Sequence, residues 1–205
     1  MTNQGDNNTG SSSIDTILDK AMAMADEQRN WYDLSMMALA ERCEISANEL
    51  RQIYPDSNAI ANQWFRQAME QMLSFSPSQV RSLPARERLE LIIWRWFDSL
   101  ARYHLVTAQM LKSKLHPPHI HHWVPMIFDL SQLVQLWRDA AGLHSGGRQR
   151  QIEEIVLTTI FVATLKIWCE DESPQQALAH SRLLDLLAKA DKTFHFRDSD
   201  DNPRN

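Results

Sequence analysis

Glycine is scarce in this sequence: 205 residues contain only five. Glycine supplies the left-handed backbone of tight turns and of phosphate-cradling loops, so its scarcity argues against a β-sandwich, a barrel or a dinucleotide-binding fold. Cysteine is nearly absent too. Cys43 and Cys169 stand far apart and form no CxxC, which excludes a disulfide framework and a cysteine zinc site. Long apolar runs are missing. The longest uncharged one, Ile155 to Leu165, falls short of the ~18 residues that a membrane span needs. Residues 1–13, MTNQGDNNTGSSS, have neither the basic start nor the apolar stretch of a signal peptide, so a cytoplasmic location is expected. There is no excess of positive charge: the net charge is −5, with a pI near 5.9, which excludes a cationic nucleic-acid coat. No serine elbow, Gly-rich phosphate loop or HExxH helix is present, so neither catalysis nor a cofactor is expected.

What is present is material for helices around a core. Hydrophobic residues make up 43% of the chain, with seven Trp and nine Met, and the composition points to an all-α protein of one or two domains. Residues 1–13 read as a disordered leader and 193–205 as a disordered acidic tail. Ser13 is placed to cap a first helix, in which Ile14, Ile17, Leu18, Ala21, Met24 and Ala25 form an apolar stripe. A second helix is expected over 35–43. Ser46 caps a short third one, with Glu49 at the reciprocal capping-box position, and Pro55 stops it. Ser57 is read as the cap of the fourth.

Further along, helices are expected over about 84–104, 107–114 and 125–141, with Gly142 as a C-terminal stop. The helix over 149–169 is apolar on every side. Ser173-Pro174 with Gln176 reads as a capped start for the last helix. So much apolar surface on the final pair suggests a helix-bundle homodimer interface through Ile155, Ile160, Trp168, Leu183 and Leu187.

From Leu34 to Ile60 the chain reads LSMMALAERCEISANELRQIYPDSNAI. Ala40-Glu-Arg42, Ile45-Ser46, Leu50, Tyr54-Pro55 and Ala59-Ile60 form a skeleton that resembles, without a gap, the DNA-binding segment of the TetR family of bacterial regulators. The physical reading agrees: a helix, a short turn, a capped recognition helix, then a proline stop. The resemblance implies an N-terminal three-helix helix–turn–helix domain over 14–64, followed by an α-helical ligand-binding and dimerisation domain over 65–192. It also implies a homodimer that binds a pseudo-palindromic DNA operator and answers to a small apolar ligand. Ser35, Ser46 and Ser57, with the helix-start N–H groups, are candidates for phosphate, and Asn48, Arg51 and Gln52 for base edges. Trp94, Phe97, Met110, Trp123, Met126, Phe128, Trp137 and Phe161 are candidates to line the ligand cavity, the plainer reading being hydrophobic core.

The chain departs from the family pattern at informative places. Glu44 replaces the glycine of the turn, where a left-handed backbone would be strained. Ala47 and Asn48 replace the usual lysine and glycine. Between Ile14 and Trp64, four Lys/Arg stand against nine Asp/Glu, so the whole negative excess lies in this segment. That balance opposes phosphate binding. It leaves an alternative, a lipid- or partner-binding protein on the same fold that has lost DNA binding. The histidines of His116-Pro-Pro-His-Ile-His-His122 have no carboxylate or thiol beside them, so they read as loop histidines and no metal is assigned.

Overall fold

The computed structural model describes residues 7–75, 80, 82–115, 120–143, 145–194 and 196, with the side chains of 7–13, 113–115 and 120–129 outside that description. Among the described residues all regular structure is helical. In chain order the helices are α1 (Asn7–Glu27), α2 (Met36–Cys43), α3 (Ala47–Ile53), α4 (Ser57–Leu73), α5 (Ala85–Leu100), α6 (His104–Leu115), α7 (Ile120–Ala140), α8 (Gly147–Trp168) and α9 (Ala177–Phe194). Short 3₁₀ turns occupy Trp31–Asp33, Ala101–Tyr103 and Pro174–Gln176. Several boundaries differ from expectation: the helix expected to reach His104 ends at Leu100, and α6 begins at His104 rather than near Thr107. α1 begins at Asn7 rather than after Ser13, α7 begins at Ile120 rather than near Pro125, and α9 continues to Phe194. Polar stretches do not forbid helix once an apolar stripe downstream anchors it. Phe196, in the expected tail, is buried and its N–H donates to Asp191 at 3.1 Å, so the chain stays packed beyond α9; the remainder of the expected leader and tail lies outside the described residues.

The chain divides into two compact units. The first runs to Gln67 and takes in Tyr103–Met110; the second holds Ala68–Arg102 and the chain from Leu111. The expected division after Trp64 therefore leaves out a helical segment that belongs to the first unit. Within that unit, Ile17, Leu18, Ala21, Met22 and Ala25 of α1 are buried, as are Leu39 and Ala40 of α2, Leu50 of α3, and Ile60 and Trp64 of α4. Each such Leu or Ile contributes about 1.5–3 kcal/mol by leaving water. Trp64 lies edge-on to Tyr103, with ring centroids 5.7 Å apart, and its indole N–H donates to the buried Thr107 hydroxyl at 2.9 Å. That bond gives both polar groups a partner in a dry setting.

The second unit is built on aromatic packing. Phe161 lies 4.9 Å from Trp137, 5.2 Å from Trp96 and 5.5 Å from Phe97, and Phe97 lies 5.7 Å from Trp168. Beside this cluster, Arg138 and Glu153 form a buried ion pair at 3.0 Å linking α7 to α8. The Ser145 hydroxyl also donates to the Glu153 carboxylate. Arg88 donates to the carbonyls of Ala141 and Leu83, at 2.7 and 2.6 Å. Gly142, with φ +70°, ends α7 as expected.

The start of the last helix is corrected. Ser173 makes no capping box: its hydroxyl accepts from Leu178 N at 3.3 Å and donates to the buried Asp171, which in turn accepts from Ser173 N and Ala179 N at 2.9 and 2.8 Å. Burial opposes the charge on Asp171, but these hydrogen bonds outweigh it and hold the carboxyl below its ordinary value.

Candidate nucleic-acid interface

The helix–turn–helix is assembled by local capping. The Ser35 side chain accepts from Ala38 N and opens α2. α2 closes at Glu44, whose backbone is left-handed at φ 58° and ψ 34°, with its N–H donating to Glu41 O and Ala40 O. Thus the backbone keeps the turn that a glycine would favour while carrying a glutamate. Ser46 then opens α3 with the expected capping box: its hydroxyl accepts from Glu49 N at 3.2 Å, and its own N–H donates to the Glu49 carboxylate at 2.8 Å. Those bonds hold the Glu49 carboxyl below its usual range. Tyr54, buried just beyond α3, has its phenol pushed up to about 12, chiefly by desolvation.

Asn48, Arg51 and Gln52 are all exposed and, at i, i+3 and i+4, share one face of α3. Ser35 and Ser46 are exposed as well, with their oxygens already used in capping. Ser57 is corrected. It is the first residue of α4, and the cap is Asp56, which accepts from Ala59 N at 2.9 Å.

The positive charges are less available than their number suggests. Arg42 donates twice to Glu27, each bond 2.7 Å, and Lys20 Nζ donates to the Arg42 carbonyl at 3.0 Å. Arg29 and Arg51 enter no ion pair among the described residues. The sequence reading missed a further residue of this unit, Gln109, whose side chain bonds the backbone of the α1–α2 connector at Arg29 and Trp31. It is far away in sequence and leaves no local pattern.

The other predicted sites fare unevenly. Phe97, Trp137 and Phe161 come together, but they are buried against one another and form core as they stand. Trp94 is half-buried, stacks on His180 at 4.1 Å and lies 5.8 Å from Phe97. Met110 is buried and counts with the first unit rather than with that cluster. The side chains of Trp123, Met126 and Phe128 lie outside the described residues, as do those of the histidines from His116 to His122. Among the described residues no group of His, Cys, Asp and Glu is placed to hold a metal ion, and no helix is long and apolar enough to cross a membrane. Of the five expected interface residues, Ile160, Trp168, Leu183 and Leu187 are buried within the chain itself, whereas Ile155 is 66% exposed. Beside Ile155, the exposed large apolar residues of the last two helices are Ile152, Val162, Leu178, Leu184 and Phe194.

Helices throughout the described residues, a helix–turn–helix in the first unit and a larger helical second unit define a class of helix–turn–helix regulators. No protein-family model matches the sequence, and no curated protein matches it. Solved structures do. A TetR transcriptional regulator from Nitrosomonas europaea is 32% identical, with a TM-score of 0.75 over 86% of this chain and 97% of that one. A TetR transcriptional regulator from Rhodococcus sp. RHA1, 15% identical, shares the fold alone, with a TM-score of 0.60 over 90% of this chain and 97% of that one. The chain belongs to the TetR family of transcriptional regulators.

Proposed function

We propose that the chain is a cytoplasmic, homodimeric DNA-binding regulator whose dimer geometry responds to a small apolar ligand. The observation that carries this reading is the exposed face Asn48–Arg51–Gln52 on a helix fixed by its capping box and by the left-handed turn at Glu44. Two such helices, one from each protomer, would enter successive major grooves about 34 Å apart. The apolar residues left exposed on α8 and α9 supply the surface for a second copy. A ligand taken up beside the aromatic cluster regulates only through its different affinity for the DNA-fitting and non-fitting geometries.

The test is recovery of fragments from sheared source DNA by the purified dimer, across a salt series. One enriched fragment, lost steeply with salt, supports the reading and identifies the operator. No enrichment with or without cell extract overturns it.

A second reading, a lipid- or partner-binding protein on the same fold, is favoured by the acid excess of the first unit and by the engagement of Lys20 and Arg42. Uptake of isoprenoid or acyl lipid by the delipidated protein, without DNA binding, supports that alternative.

A further inference from the structure

The connector between α1 and α2 is short and awkward. It leaves α1 through Arg29 in a left-handed conformation (φ 53°), which a non-glycine residue adopts only when held there. Asn30 then caps the 3₁₀ turn Trp31–Asp33 by accepting from Tyr32 N, and its amide donates to Asp33 at 2.7 Å. Leu34 leads directly to Ser35, the cap of α2. The backbone closes the end of α1, with Arg29 N donating to Asp26 O at 2.9 Å and Asn30 N to Ala25 O at 3.1 Å, and one side chain from α6 braces the connector beyond it. Gln109 Oε1 accepts from Trp31 N at 2.7 Å, and Gln109 Nε2 donates to the Arg29 carbonyl at 3.0 Å. A third bond runs from the Tyr32 hydroxyl to the Gln109 carbonyl at 3.0 Å.

A planar side-chain amide that donates to one carbonyl and accepts from the N–H two residues later pairs with the backbone as a neighbouring strand would. Among side chains of this length, only glutamine offers both functions on one rigid group. Glutamate at neutral pH keeps the acceptor and loses the donor; methionine fills the space and keeps neither.

The geometry points to Gln109 as a positioning residue for DNA recognition. It fixes the connector that hands α1 on to α2, and thereby the presentation of α3, without touching DNA itself. This rests on the DNA-binding reading above. Together with the contacts of Trp64 to Tyr103 and Thr107, Gln109 ties Tyr103–Met110 to the first compact unit.

The test compares the full-length dimer with Gln109→Met and Gln109→Glu. Circular dichroism and thermal unfolding first establish that both variants are folded. Amide hydrogen exchange at Trp31 reads the joint directly. Protection is expected to fall about tenfold in Gln109→Met, the size of one net hydrogen bond, and to be kept in Gln109→Glu. Affinity for the enriched fragment is expected to weaken about tenfold in Gln109→Met, with base preference and salt slope unchanged, because no contact to DNA is removed. Unchanged Trp31 protection in folded Gln109→Met overturns the joint. Lost protection with unchanged affinity overturns its role in positioning. If the unaltered chain enriches no DNA, the DNA reading fails and takes this role with it, while the exchange measurement still decides whether the joint exists.

Discussion

Both terminal nitrogens of Arg42 donate to the Glu27 carboxylate, each at 2.7 Å, so a cation of α2 is locked to the last residue of α1. The hydrogen bonds from Arg42 hold the Glu27 carboxyl below its ordinary value. Since that pKa is depressed on folding, the pair's contribution is present above the ordinary carboxylate pKa and is lost as pH falls through the lower folded value. Both partners are exposed, so the contribution is small. The more telling effect is on charge: an arginine near the recognition helix is neutralised inside the protein rather than by phosphate.

Glu27→Gln is therefore expected to leave folding almost unchanged and to release Arg42. If the freed guanidinium reaches one phosphate per protomer, the salt slope of operator binding steepens by about 2 for the dimer. Affinity measured at several salt concentrations checks this, and an unaltered slope rules Arg42 out of phosphate contact.

Glu44→Gly is expected to stabilise the protein. A non-glycine residue at φ 58° carries roughly 1–2 kcal/mol of strain, and glycine's greater freedom in the unfolded chain takes back about 0.5–1 of it. A net gain of about 0.5–1 kcal/mol should appear as a higher urea midpoint at unchanged slope. A lower midpoint would mean that the glutamate side chain itself holds the turn.

Glu44 also illustrates what the sequence made legible. The turn was readable because helix–turn–helix spacing is local, and so was the Ser46–Glu49 capping box, whose partners are three residues apart. Ser57 was misjudged by a single position, because Asp56 beside it is an equally good cap and only the backbone decides between them. The last helix start was misread for a different reason: Asp171 reaches eight residues forward to Ala179, past a 3₁₀ turn that no cap pattern encodes. Apolar periodicity identified Ile160, Trp168, Leu183 and Leu187 as covered, but periodicity does not say by which chain. Gln109 was illegible altogether, since its partner at Trp31 is 78 residues away.

The ion pair of Arg138 and Glu153 is a costly place to remove a charge, because both side chains are almost wholly buried, at 3% and 1% exposed. Glu153→Leu leaves the guanidinium without its main counter-charge and should cost about 3–5 kcal/mol. Replacing both, Arg138→Met with Glu153→Leu, should recover most of that loss, since an apolar pair carries no desolvation penalty. Urea unfolding of the two single variants and the double variant gives the coupling directly. Simple additivity would show that Ser145 and the loop carbonyls, rather than Glu153, hold Arg138.

Ile155 is the test of the proposed homodimer. It is 66% exposed on α8, on the same helix as exposed Ile152 and Val162. If α8 and α9 form the proposed interface, Ile155→Glu should give a folded monomer in sedimentation equilibrium where the unaltered chain is a dimer, with a weakened operator affinity because the two recognition helices are no longer joined. A dimer that survives the charge moves the interface elsewhere on the chain.

Arg51 is the sharpest probe of what α3 reads. It is exposed, shares a face with Asn48 and Gln52, and enters no ion pair among the described residues. If it pairs with a base, Arg51→Ala should cost about 1–3 kcal/mol and relax the preference at one position of each half-site, leaving the other positions as selective as before. If it meets phosphate instead, affinity falls evenly for all sequences and the salt slope shallows by about 1 per protomer. Competition against a set of single-base operator variants distinguishes the two. Lys20 and Arg42 are engaged within the protein and Arg29 lies in the α1–α2 connector, so Arg51 is the cation that α3 itself presents, and unchanged binding to every variant would remove Arg51 from the interface.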